Sequence, residues 1–189
     1  MLHTIRRNMA FFLVLCISMT WLVPLSGARA ADYNPDTDRQ ETVEYEGYLV
    51  KLDTNGYQPE VLRLLMEQEL LNYVAMDVKG SKENYPRVAG VAALEVNKIE
   101  ESVEMLKGQK KVPYEFRTTV VKGLHTLEEF EQIGKWLEGA DKYFLQSYQE
   151  SENLLDSAAG FGAFSEQELE KMAEKARKYI ARVEVRGVE

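Results

Sequence analysis

"YVAMDVKG" (73–80) is the stretch on which the reading of this chain turns. Tyr73 to Met76 form an apolar run suited to a buried strand. Asp77 and Lys79 then place opposite charges on either side of one valine, and Gly80 ends the run. Charge at the end of a core strand carries a desolvation cost unless it faces a partner, solvent or a ligand. The elements on either side decide which of these it faces.

Working outward, "YEGYLVKLDTNG" (45–56) reads as a strand closed by an Asn-Gly turn. "QPEVLRLLMEQELL" (58–71) has Pro59 at a helix start and Val61, Leu64 and Leu65 at helical spacing. "EVNKIEESVEMLKGQ" (95–109) carries Val96, Ile99, Val103 and Leu106 on one helical face, and "PYEFRTTVVKG" (113–123) is a third strand rich in β-formers. "TLEEFEQIGKWLEGA" (126–140) opens on a Thr-x-x-Glu capping box, and "DKYFLQSY" (141–148) is a fourth strand. "SEQELEKMAEKARKYI" (165–180) opens on Ser165 and Glu168, a second capping box, and "ARVEVRGV" (181–188) is a last short strand. Strand and helix alternate through about four βα units. This predicts an α/β fold in which a parallel sheet, either a partial (β/α) barrel or an open sheet, is covered by helices.

The two ends of the chain bound its other properties. Residues 1–30 begin with Arg6 and Arg7, continue through "MAFFLVLCISMTWLVPL" and close on "SGARA", the charged, apolar, small-residue order of a secretory signal peptide cut after Ala30. The apolar run is about 15–17 residues, short of the roughly 20 that span a bilayer, so no stable membrane span is expected after cleavage. Residues 31–44, "ADYNPDTDRQETVE", are a polar linker, and 45–189 form the domain. Loss of the leader takes the net charge from −8 to −11. So acidic a body argues against nucleic-acid binding, which needs clustered cations. Cys16 is the one cysteine of the sequence and lies in the leader. The body therefore offers no thiolate for a disulfide, a zinc site or an iron–sulfur cluster.

In a parallel α/β sheet, right-handed crossovers put every strand's C-terminal end on one rim, and ligands bind there. Asp77 and Lys79 fall on that rim, beside Asp53 and Thr54 of the preceding strand. Arg117 and Thr119 lie in the next strand and Gln146 in the fourth. Two carboxylates and a threonine hydroxyl supply hard oxygens for a cation. Lys79 and Arg117 suit a carboxylate or phosphate. The rim thus reads as a site for a polar, zwitterionic or anionic ligand. The same residues also fit a capped turn and surface ion pairs. A hydrolase built on Asp53 and Asp77 is a third reading, but the sequence supplies no nucleophile or metal set for it. His125, the one histidine of the body, reads as a loop or capping residue, and "GFGAF" (160–164) lacks the preceding strand of a dinucleotide fingerprint.

"KLDTNGYQPEVLRLLMEQELLNYVAMDVKG", "YEFRTTVVKGLHTLEEFEQIGKWLEGADKYFLQSY" and "EVRGV", taken in order, resemble the C-terminal part of radical S-adenosylmethionine activating enzymes. The likeness covers about residues 47–188. It leans toward the activating proteins of anaerobic ribonucleoside-triphosphate reductase, relatives of pyruvate formate-lyase activase. It implies a partial (β/α) barrel and a glycyl-radical enzyme, such as anaerobic ribonucleotide reductase, as partner. Carried over, Asp53, Thr54, Asp77 and the Val78 backbone would hold a monovalent cation near the carboxylate of S-adenosylmethionine. Lys79 would contact the cofactor and Arg117 would help hold it.

The departures from that family are large. The C-x-x-x-C-x-x-C loop that binds its 4Fe–4S cluster is missing from this sequence, as is its "GGEP"-type stretch, and "LQSYQESENLL" lacks the family's later histidine. The expectation is a truncated family member with no catalytic residue of its own, unable by itself to cleave S-adenosylmethionine. The alternative is an exported, non-catalytic module that keeps the polar pocket. The family is cytoplasmic, so the leader is either a targeting signal or a product of gene fusion or misassigned start. The strand at 45–52 would then be left as an unpaired edge.

Overall fold

The structure, a computed structural model, describes residues 13–16, 49–149 and 161–188, with side chains described from Leu49 onward. The 31–44 linker and all of the leader except Leu13–Cys16 lie outside the described residues, as does the whole stretch 150–160. The elements run β1 (Leu13–Cys16), β2 (Val50–Thr54), α1 (Pro59–Glu67), β3 (Tyr73–Asp77), α2 (Tyr85–Ala89), α3 (Val96–Gly108), β4 (Tyr114–Val120), α4 (Glu129–Trp136), β5 (Lys142–Ser147), α5 (Glu166–Ala176) and β6 (Arg182–Arg186).

All the strands pair in parallel, in the order β1-β2-β3-β4-β5-β6. Sheet order that follows chain order has no reversal point. With right-handed crossovers, every connecting helix then lies on the same side. The core agrees. Leu52, Val74, Met76, Phe116, Tyr143 and Leu145 form one apolar cluster with Leu62 of α1, Val103 of α3, Phe130 of α4 and Leu169 of α5. Alternation sends the intervening residues to the other face: Lys51 and Asp53, Tyr73 and Asp77, Glu115 and Arg117, Lys142 and Phe144. Ala75 and Phe144, though buried, stand apart from the helix-side cluster. The sheet is therefore apolar toward its helices and charged on its opposite face.

The expected elements appear close to their expected bounds, with four differences. First, β2 is flanked on both sides, by β1 and by β3, so it is not an unpaired edge. "LVLC" is short, apolar and partly β-branched, and such a run reads equally as a buried strand or as part of a leader. Second, α1 buries Pro59 and Leu62 and packs Leu65 and Met66 against the core, so of the expected stripe Leu64 alone turns out to solvent. Third, α2, five residues long, is too short to carry periodicity. Fourth, the box at Thr126 does not form, because α4 begins at Glu129 and that glutamate is used elsewhere. The Ser165–Glu168 box does form, with the Glu168 N–H donating to Ser165 Oγ at 3.3 Å and the Ser165 N–H donating to Glu168 Oε2 at 2.8 Å. Helices α4 and α5 pack closely at Gly134. A Cβ there would lie 2.8 Å from Tyr179 Cδ2 and 3.0 Å from the Ala176 Cα.

Candidate functional site

Register brings the expected rim residues together. Asp77 and Arg117 are direct partners across β3 and β4, and Asp53 sits opposite Ala75, one step back on β2. The Arg117 guanidinium lies between the two acids, with Nη1 on Asp53 Oδ1 and Nε on Asp77 Oδ1. Lys51 Nζ approaches Asp53 Oδ1 at 3.6 Å, and Lys79 Nζ approaches Asp77 Oδ2 at 3.3 Å. The result is an alternating chain, Lys51–Asp53–Arg117–Asp77–Lys79, with three cations and two anions. It carries a net positive charge on a chain whose overall charge is −8.

Burial is graded along this chain. Asp53 is 7% exposed, whereas the Lys79 side chain is 42% exposed. Burial works to lower the pKa of Arg117, but the hydrogen bond and charge of Asp77 and the charge of Asp53 outweigh it and raise the value above its ordinary range. The guanidinium is thus a fixed cation, held where two strand ends meet.

Two of the expected residues face away from this chain of charge. Thr54 alternates to the helix side, and its Oγ1 accepts the Gly56 N–H at 3.1 Å, closing the turn after β2. Val78 is buried with its backbone already paired: its N–H donates to the Arg117 carbonyl at 2.8 Å and its carbonyl accepts from Thr118 Oγ1 at 2.6 Å. Thr118 in turn accepts from the Tyr143 hydroxyl at 2.7 Å. Among the described residues no group of three or more His, Cys, Asp or Glu is disposed to hold a metal ion. The space between Asp53 and Asp77 is filled by Arg117. Thr119 and Gln146 are register partners further along the same face, outside the ionic chain.

Sequence reading missed the residues behind the rim. The turn after β2 is tied to α3 by Ser102 Oγ, which donates to the Gly56 carbonyl at 2.8 Å. His125 is 4% exposed, and its Nε2 lies 2.8 Å from the Lys79 carbonyl. Glu129, 5% exposed, accepts from the Ser81 N–H at 2.9 Å. The one sequence signal for His125 was its uniqueness in the body, and Glu129 was disguised by the capping-box pattern.

A second polar group lies lower on the same face. The Tyr73 hydroxyl donates to Glu115 Oε2 at 2.8 Å, and Arg186 reaches Glu115 Oε1 at 3.3 Å while lying over the Phe144 ring. Burial first, and the Glu115 hydrogen bond second, push Tyr73 up to about 12. The open face is thus polar over most of its length, unlike the side-chain-filled interior of a closed barrel.

The chain is 32% identical over 146 residues to a protein of Methanocaldococcus jannaschii. That protein carries the provisional description of a glycyl-radical enzyme activating enzyme. The match takes in 76% of this chain and 60% of the other, so the chain spans less than two thirds of its relative's length. The likeness supports a relationship to the activating enzymes. No protein-family model matches the chain. Among the described residues, no helix is long and apolar enough to cross a membrane.

Proposed function

We propose that residues 45–189 form part of a (β/α)-barrel wall of the radical S-adenosylmethionine activating-enzyme kind. In this reading the rim at Asp53, Asp77, Lys79 and Arg117 binds the amino-acid end of S-adenosylmethionine. The observation that carries it is Arg117 held between the two strand-end carboxylates, with Lys79 exposed beside them. Lys79 and Arg117 meet the ligand's carboxylate and Asp77 its ammonium group, so a zwitterion satisfies both signs at once. The in-order sheet and the likeness to the archaeal protein support the same reading. A monovalent cation held by Asp53, Thr54, Asp77 and the Val78 carbonyl belongs to it only if Arg117 moves out from between the acids.

The residues present do not fit a 4Fe–4S cluster. Such a cluster takes several thiolates, and this sequence has Cys16 alone. No radical step is therefore assigned to this chain, and none of its residues is given a catalytic role. The partner in this reading is a glycyl-radical enzyme, with anaerobic ribonucleotide reductase the narrower choice. The signal-like residues 1–30 and the acidic body favour a second reading, an exported module that binds a zwitterion without chemistry.

Calorimetric titration of the full chain with S-adenosylmethionine, methionine and adenosine tests the site. The expected result is weak binding that depends on the methionine end and is lost in Lys79→Ala. Absence of binding by both S-adenosylmethionine and methionine at millimolar concentration overturns the ligand assignment.

A further inference from the structure

The rim depends on a segment that is not strand. β3 ends at Asp77, and Val78 is still tied to β4, but Lys79, Gly80 and Ser81 run on without a ladder. The connection between β4 and α4 takes over from there. The Val121 N–H donates to His125 Nδ1 at 3.0 Å, which makes Nδ1 the acceptor and leaves the proton on Nε2. Nε2 therefore donates to the Lys79 carbonyl at 2.8 Å.

Two residues further on, the Ser81 N–H and Oγ donate to Glu129 Oε1 at 2.9 and 3.2 Å. Asn84 Nδ2 donates to the same carboxylate at 3.0 Å. A carboxylate this buried costs free energy unless donors surround it. Among the described residues Glu129 has no cationic partner, so these donors are its compensation, and they all come from the segment that follows Lys79. The backbone passes flush against the carboxylate. A Cβ at Gly80 would lie 2.7 Å from Glu129 Oε1 and 3.2 Å from Val88 Cγ2.

We propose that His125 and Glu129 are positioning residues that clamp the segment 79–84 and so fix where Lys79 and Asp77 present their charges. β4, the connection after it and the first residue of α4 then supply two things to the rim. One is the cation between the acids, Arg117. The other is the pair of groups that hold the neighbouring strand's end. Neither His125 nor Glu129 touches the ligand in this assignment. The ligand half of the proposal rests on the rim's reading as a zwitterion site, and the segment-holding half does not.

Hydrogen exchange read by mass spectrometry, on the full chain and its His125→Ala, His125→Gln, Glu129→Ala and Glu129→Gln variants, tests the clamp. S-adenosylmethionine titration of the same proteins tests its consequence. In both alanine variants, amides of 79–84 are expected to exchange at least tenfold faster while β5 and α5 keep wild-type protection. Affinity is expected to fall about tenfold. Glutamine at 125 offers an N–H near the Nε2 position and glutamine at 129 still accepts through its amide oxygen, so each is expected to recover most of both effects.

Unchanged exchange at 79–84 in both alanine variants overturns the proposal. Acceleration spread evenly over the sheet, with no excess at 79–84, also overturns it by reducing the pair to ordinary core groups. Local loosening with affinity unchanged overturns the link to the rim. If the wild-type chain binds no S-adenosylmethionine, the functional reading fails by itself and the exchange comparison still decides whether the segment is clamped.

Discussion

Replacing Arg117 by methionine is the sharpest test of how the rim is held. The substitution keeps a long side chain against the sheet and removes the charge between Asp53 and Asp77. Breaking one side of a buried pair costs about 3–5 kcal/mol, because the remaining charge is left unpaired. Here two acids lose a partner at once, but each keeps a second one, Lys51 at 3.6 Å and Lys79 at 3.3 Å. The Asp77 side chain, at 31% exposure, also keeps contact with water, while the Asp53 side chain, at 9%, has little. The loss is therefore set mainly by Asp53 and comes to about 2–3 kcal/mol at neutral pH. For a chain of this size that is roughly 5–10 °C in Tm. Denaturant and thermal unfolding of the wild-type, Arg117→Met, Asp53→Asn and double-variant chains give the cycle. The double variant is expected to regain at least about 1 kcal/mol over Arg117→Met, since neutral Asn no longer needs the cation. If Arg117→Met lies within about 0.5 kcal/mol of wild type, or if the double variant regains nothing, Arg117 does not neutralise the buried acid and the rim's electrostatic account fails.

Tyr143→Phe removes the hydroxyl that supports Thr118 but leaves Thr118 bonded to Val78; a loss of about 1 kcal/mol is expected in chemical denaturation, and no loss would show that the relay is slack. Gly56→Ala should cost at least about 2 kcal/mol, because φ is +71° and the new Cβ would fall 2.0 Å from Cε of the fully buried Met76; a neutral outcome would mean that the turn can relax. Tyr73 has its folded pKa raised to about 12 from 10.0, so its contribution is fully present below pH 10 and is lost as pH climbs through 12. Tyr73→Phe should remove one tyrosinate absorbance step near pH 12 and flatten the fall in stability between pH 10 and 12. A step lost near pH 10 instead would place Tyr73 in water.

The sequence carried the sheet well because its pattern is redundant. β3 and β5 are apolar runs of β-formers bounded by polar turns, and α3 shows a clean stripe of Ile99, Val103 and Leu106 that the structure buries. The rim was legible for a topological reason: in-order parallel strands must bring Asp53, Asp77 and Arg117 to one end. What the residues could not show was which groups answer one another across that end. The same Asp53 that offers oxygens to a cation also binds a guanidinium, and only the register of β3 on β4 decides between them. Thr54 lies on the face opposite Asp53, because a one-residue step along a strand changes the face. Glu129 was assigned to its own helix because a capping box is a local pattern. The donors it binds, at Ser81 and Asn84, lie more than forty residues away in the chain.

β6 closes the described sheet with one side unpaired, and it is written in charge: Arg182, Glu184 and Arg186 occupy alternate positions, and Arg182 and Glu184 pair with each other at 2.6 Å. An unpaired parallel edge is a template for any extended peptide that reaches it. A strand adding here would have to settle beside three hydrated side chains and disturb an ion pair, with little apolar surface gained in return. The charge of the open face, followed out to the sheet's last strand, thus also makes that edge a poor template for a second copy of the sheet.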